Sequence, residues 1–144
     1  DVGGVERARR YATRLDNAAI AIIDKRRERA NQVAEMKVVG DVKGKTCLLV
    51  DDMVDTAGTL VKAADALVKS GASKVIAACA HPVLSGVSVD RIKNSVLEEV
   101  IVTDTIPIPK TNVIDKIRIL SVAPLFAEAI KRIHNEDSIS SIFV

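Results

Sequence analysis

The chain has 144 residues, enough for one domain with a sizeable core and too few for two full lobes. Hydrophobic residues make up 48% and charged residues 28%, which excludes wholesale disorder. A net charge of +2, with one Tyr, two Phe and no Trp, excludes the basic stripe and stacking platforms of a dedicated nucleic-acid binder.

Taken in order, residues 4–15 predict a helix, because Val5, Ala8, Ala12 and Leu15 recur at helical spacing. Arg7, Arg10 and Arg14 share a neighbouring face. Residues 18–23, AAIAII, read as a short strand covered on both faces. Residues 25–32, KRRERANQ, lack an apolar anchor and read as a mobile basic loop, and VAEMKVVG as a ribbon or short strands. TCLLV, 46–50, predicts a strongly apolar strand ending in Asp51 and Asp52. Residues 59–71 predict a helix with Leu60, Ala63, Ala64, Leu67 and Val68 on one side and Gly71 closing it. Further strands are expected at 74–80, 99–104 and 116–120, and helices at 87–96 and 123–135, with Pro124 in a first turn. Strand and helix alternating over short connections predicts an α/β domain, a parallel sheet with helices on both faces, spanning 1–144.

Cys47 and Cys79 lie in apolar runs and read as strand residues, not a disulfide framework, which favours a reducing compartment, the cytoplasm. No apolar run approaches the roughly 18 residues of a membrane span, and the first residues do not read as a basic n-region followed by an apolar signal core. It begins at Asp1 without a Met, so we expect a processed start or a piece of something longer.

In open α/β sheets, ligands bind beyond the carboxyl ends of the strands. There LLVDDMVDTAGTLVKAA, 48–64, places Asp51, Asp52 and Asp55 close together. Three such anions call for a cationic or hydroxyl-rich partner, either a hard cation such as magnesium or a sugar diol. Thr56, Ala57, Gly58 and Thr59 lead straight into a helix, where open N–H groups and hydroxyls favour a phosphate. Acid groups beside a phosphate cradle suit a phosphorylated pentose; the plainer alternative is ordinary loop acids and a helix cap at Thr59.

Lys25, Arg26, Arg27 and Arg29 are either a solvated charge run or a loop that neutralises polyphosphate during phosphoryl transfer. Asp1 precedes the Gly3–Gly4 pair, where a phosphate or metal-bound phosphate could approach the backbone. Gly40 to Thr46, GDVKGKT, imitates a Walker A loop but has one residue too few and precedes a strand. His81 could be an acid, a ligand or a structural hydrogen-bonding residue, and the Ser85–Gly86 turn could meet a ligand. Neither His81 nor His134 has a companion at zinc-site spacing.

These stretches resemble one family. VDDMVDTAGT resembles the phosphoribosyl diphosphate loop of the type I phosphoribosyltransferase fold. With DVGG, DKRRERAN, GDVKG, HPVLSG, VTDTIP and HNEDSISSIF, the whole chain resembles the C-terminal half of the ribose-phosphate pyrophosphokinases, the phosphoribosyl pyrophosphate synthetases. The resemblance implies transfer of the β,γ-pyrophosphoryl group of ATP to the anomeric hydroxyl of ribose 5-phosphate, giving phosphoribosyl pyrophosphate and AMP. It implies that Asp55, Thr56, Ala57, Gly58 and Thr59 hold the 5-phosphate and that Asp51 and Asp52 face the ribose hydroxyls, directly or through Mg2+. Lys25 and Arg27 resemble the loop residues that stabilise the transferring group, and Asp1 a magnesium ligand. Arg7, Ser138 and Ser140 resemble parts of a regulatory region that responds to phosphate and ADP. The plainer account of SISSIF is an edge element that docks Ile139, Ile142 and Phe143.

The resemblance further implies a cytoplasmic homo-oligomer, dimer to hexamer, without nucleic acid or membrane partners. Family members are about twice this length; their N-terminal half carries most adenine contacts and a metal-binding His. The isolated chain is therefore expected to hold the pentose phosphate and to be weak or inactive alone, with the missing half linked or supplied as a separate chain. Two other functions use the same residues: a phosphoribosyltransferase, which needs a base-binding hood, and a non-catalytic synthetase-associated regulatory subunit.

Overall fold

The structure, a computed structural model, describes residues 2–26 and 35–143. Helix α1 spans Val2–Arg14 and is followed by strand β1, Ile22–Arg26, and strand β2, Glu35–Val39. Strand β3, Thr46–Val54, leads into helix α2, Gly58–Lys69, then strand β4, Lys74–Pro82, and helix α3, Ser88–Lys93. Strand β5, Glu99–Thr103, strand β6, Ile117–Leu120, and helix α4, Ala123–His134, follow. Short 3-10 turns lie at Lys110–Asn112 and Ser140–Phe143.

Four strands form a parallel sheet in the order β3-β4-β5-β6, as the alternating pattern predicts. The register sets Asp51 beside Cys79 and Met53 beside His81. Each neighbour in the sheet is also the next strand in the chain, so every step is a short crossover. β1 and β2 instead form an antiparallel pair of their own, Ile22 opposite Val39 and Arg26 opposite Glu35.

Burial alternates along the central strands. Val75, Ala77 and Cys79 of β4 and Val100 and Val102 of β5 are buried, and the residues between them only half-buried. The buried set joins Ala64 and Leu67 of α2 and Ile92 of α3 in one core cluster. Helix α2 contacts β2, β3 and β4, and α1 contacts β3. The side chains between strand pleats are thus less enclosed than a sheet covered equally on both faces requires.

Several element boundaries differ from expectation, among them three at β1, the basic segment and β3. Residues 18–21 carry no regular structure, and the strand expected at 18–23 begins only at Ile22, with Ile20 and Ile22 exposed. An apolar run alone could not say that its partner would be the antiparallel β2. Lys25 and Arg26 belong to β1, so the basic segment does not begin as a loop; the rest of that segment, 27–32, lies outside the described residues. β3 continues past Val50 to Val54, because pairing with β4 extends through Met53–His81 and Val54–Pro82. Asp51 and Asp52 therefore stand within the strand and do not end it.

Gly71 follows α2 at φ +96, a left-handed position that suits glycine and ends the helix. Cys47 and Cys79 are free thiols. Burial pushes Cys79 up to about 11, with the Asp51 carboxylate adding to the shift, so it is a neutral thiol near pH 7. The Walker-like segment leads into β3 and its Lys45 pairs with Asp41 at 2.8 Å, a turn contact. Among the described residues no helix is long and apolar enough to cross a membrane.

Candidate functional site

The C-terminal end of β3 and the start of α2 build the site. Asp51 and Asp52 are successive strand residues with carboxylates more than half exposed. Opposed faces of a strand would separate them, but one cation draws both together. Arg7 of α1 sets Nη1 3.2 Å from Asp51 Oδ1 and Nη2 3.4 Å from Asp52 Oδ2. The Asp52 carboxyl is held below its ordinary value, foremost by a hydrogen bond with the Asp51 carboxyl, then by backbone N–H groups and Arg7. Met53 N–H donates to Asp52 Oδ1 at 3.0 Å, and Asp52 N–H to Asp51 Oδ1 at 2.9 Å.

Three residues on, the chain turns into α2. Ala57 precedes the helix at φ 59, ψ 2, a left-handed conformation that costs a non-glycine residue roughly 1 kcal/mol. Its side chain is buried in the core, which explains how the conformation is held. Among the described residues, no partner accepts from the N–H groups of Ala57, Gly58, Thr59 or Leu60. No side chain caps the helix, so Thr59 does not serve as its cap. Asp55 accepts from the Ser85 hydroxyl, which ties the loop to the turn after β4. Arg91 of α3 donates from Nη1 to the Thr56 carbonyl at 2.9 Å.

His81, at the end of β4, holds Nδ1 2.9 Å from Thr105 Oγ1. Thr103 and Thr105 both donate to the Ala80 carbonyl, at 2.6 and 3.1 Å. Of the roles open to His81, the structure shows the hydrogen-bonding one.

The structure thus brings Asp51, Asp52, Asp55, Thr56, Ala57, Gly58 and Thr59 to one strand end. It adds Arg7, which the sequence had grouped with the tail serines. Ser138 and Ser140 lie elsewhere, their hydroxyls 2.7 Å apart, where Arg132 Nη1 donates to the Ser138 carbonyl at 3.0 Å. Lys25 lies in β1, while Arg27 and Asp1 lie outside the described residues. Arg91 escaped the sequence analysis. Its only sequence signal is one of two cations on a short helix, and 35 residues separate it from Thr56.

A parallel α/β domain with a carboxylate-flanked, amide-lined turn near a strand end is an arrangement that can take a phosphate ester. Comparisons with known proteins narrow it. A family profile described as "Phosphoribosyl synthetase-associated domain" matches residues 26–144, and the chain belongs to that family. It is 60% identical over 145 residues to a ribose-phosphate pyrophosphokinase of Xanthomonas axonopodis pv. citri, covering 100% of this chain and 46% of that protein. It is 58% identical over 144 residues to one of Marinomonas sp., covering 99% and 46%. The crystal structure of phosphoribosylpyrophosphate synthetase from Mycobacterium smegmatis superposes with a TM-score of 0.86 at 40% identity, over 93% of this chain and 43% of that one. The chain spans about half the length of the curated relatives it matches.

Proposed function

We propose that this chain is the pentose-phosphate-binding part of a ribose-phosphate pyrophosphokinase. One observation carries it: the paired carboxylates of Asp51 and Asp52 stand in the C-terminal part of β3, which runs into a turn where four N–H groups have no acceptor among the described residues. The 5-phosphate would sit against Thr56, Ala57, Gly58 and Thr59, with Asp55 completing the loop. Asp51 and Asp52 would accept hydrogen bonds from the ribose hydroxyls. The anomeric oxygen attacks the β-phosphorus of ATP, the bond from that phosphorus to the α,β-bridging oxygen breaks, and AMP leaves with the bridging oxygen. The hydroxyl proton is lost. Lys25 and Arg27 would neutralise charge growing on the transferred oxygens.

Among the described residues, no three His, Cys, Asp or Glu side chains are grouped for a metal. Mg2+ commonly takes one or two carboxylates and completes its shell with water and substrate phosphate. The exposed Asp51–Asp52 pair fits that habit, and Asp1 is proposed as a further ligand. When bound, Mg2+ supplies positive charge to the phosphoryl oxygens.

On the resemblance of its motifs we place the chain in the C-terminal half of the full-length enzyme, with the complementary half supplying the adenine site. Reading the flanking gene tests this. A coding α/β segment of similar length upstream of Asp1 supports it, and one downstream of Val144 instead would overturn it. The same proposal covers a cytoplasmic homo-oligomer and a regulatory role for Ser138 and Ser140.

Phosphorus NMR with ribose 5-phosphate tests the site. The wild-type chain should perturb the sugar-phosphate resonance. Asp55→Ala should weaken binding about tenfold or more, the worth of a lost charged hydrogen-bond network, with an unchanged circular dichroism spectrum. Equal affinity in the two proteins sinks the placement. The wording of the family description favours a second reading, a non-catalytic subunit associated with a synthetase. AMP formation that requires both ATP and ribose 5-phosphate, measured with the complete protein, separates them.

A further inference from the structure

We infer that Arg91 is a positioning residue for the phosphate-binding turn, an inference that rests on the pentose-phosphate reading of that site. The physical problem is the turn's own carbonyls. A backbone carbonyl facing an anion repels it, and a loop with free N–H groups is useful only if its peptide planes are held with N–H toward the ligand. Burial of the Ala57 side chain and the Val61 N–H on the Ala57 carbonyl, at 3.0 Å, hold the second peptide of the turn, but among the described residues nothing in 56–59 fixes the first, Thr56–Ala57, since no side chain caps α2.

Arg91 supplies the missing restraint. Its Nη1 donates to the Thr56 carbonyl at 2.9 Å. The Thr56–Ala57 peptide is trans, so its N–H points opposite to its carbonyl. Tying the carbonyl to Arg91 therefore turns the Ala57 N–H to the other side. The guanidinium also lies directly against the turn, since a Cβ built on Gly58 would meet Arg91 Nη1 at 3.5 Å and Thr56 Oγ1 at 3.8 Å. Arg91 can keep this place because the next residue, Ile92, is fully buried and anchors α3 in the core. A permanent charge there polarises the peptide in the sense that makes its N–H a better donor to an anion. Arg91 acts through the turn, without touching the ligand.

The test compares wild type, Arg91→Met and Arg91→Lys, with amide hydrogen exchange and phosphorus-NMR titration of ribose 5-phosphate. Arg91→Met should speed exchange at Val61, whose N–H donates to the Ala57 carbonyl of the turn, and weaken binding severalfold to about tenfold, the low end for one hydrogen bond to a charged group. Arg91→Lys should recover part of both effects. Exchange and affinity within twofold of wild type in Arg91→Met would overturn the inference. Should that variant not fold, Arg91→Lys alone decides by the same two readouts, wild-type values again overturning it. If the wild-type chain binds no ribose 5-phosphate, the pentose-phosphate reading fails, while exchange at Val61 still reports whether Arg91 holds the turn.

Discussion

Helices α2 and α4 have nearly the same primary pattern and opposite fates. Each is a twelve-residue amphipathic segment rich in Ala, Leu or Ile. In α2, Ala63, Ala64 and Leu67 are buried against the sheet. In α4 no residue is buried, and Phe126, Ile130 and Ile133 are 60%, 64% and 64% exposed. Periodicity specifies that an apolar stripe exists; it cannot specify whether something within this chain covers it. Helix α2 also begins at the candidate site, so its anchoring transmits to the turn at 55–59. The polar contacts of α4 centre on Arg132, whose Nε donates to Glu128 Oε1 at 2.7 Å and whose Nη1 donates to the Ser138 carbonyl.

Breaking that comparison begins in α2. Leu67, 3% exposed, should lose about 2–5 kcal/mol of stability as Leu67→Ala, the cost of a cavity that its neighbours cannot collapse into. Denaturant unfolding measures it, and a loss comparable to that from Ile133→Ala would erase the distinction between the two helices. Next in size is Ser88, fully buried beside Ile92 on α3, whose hydroxyl has no hydrogen-bond partner among the described residues. Ser88→Ala should raise stability by about 1 kcal/mol, because it removes an unsatisfied group; a clear loss would reveal a partner for that hydroxyl. Ile133→Ala in α4 should change stability by no more than about 0.5 kcal/mol.

The smallest effect concerns pH. The Glu128 carboxyl lies below its ordinary value, foremost through its hydrogen bond with Arg132. A group depressed in the folded state contributes stability above its unfolded value and loses it as pH falls through the folded one. Glu128→Gln should therefore flatten the acid limb of the stability curve slightly and leave stability near pH 7 little altered, since the pair is at the surface. Unfolding midpoints across the acid range provide the check.

Much of this molecule was legible before its coordinates. The helical spacing of Leu60, Ala64 and Leu67 marked α2, and the alternation of apolar strands with helices marked the parallel sheet. The run VDDMVDTAGT marked a strand end with acids and a turn suited to phosphate, because each residue type there carries its chemistry locally. Where the signal was a bare apolar run, as in AAIAII, it gave neither the boundary nor the antiparallel partner. Strand pairing is a long-range choice, and β3 is longer than its apolar stretch because β4 continues beside it.

By itself, then, the sequence determined the α/β class, the candidate acids and the small-residue turn, all properties of residues adjacent in the chain. Only the tertiary structure decided that Arg7 clasps Asp51 and Asp52, that Ser85 meets Asp55, and that Arg91 holds the Thr56 carbonyl. These contacts join residues 30 to 45 positions apart. A guanidinium carries no mark of which oxygen it will reach. That is fixed when the burial of Ile92 seats α3 and the burial of Ala64 and Leu67 seats α2, which brings Arg91 to its carbonyl as a consequence of packing.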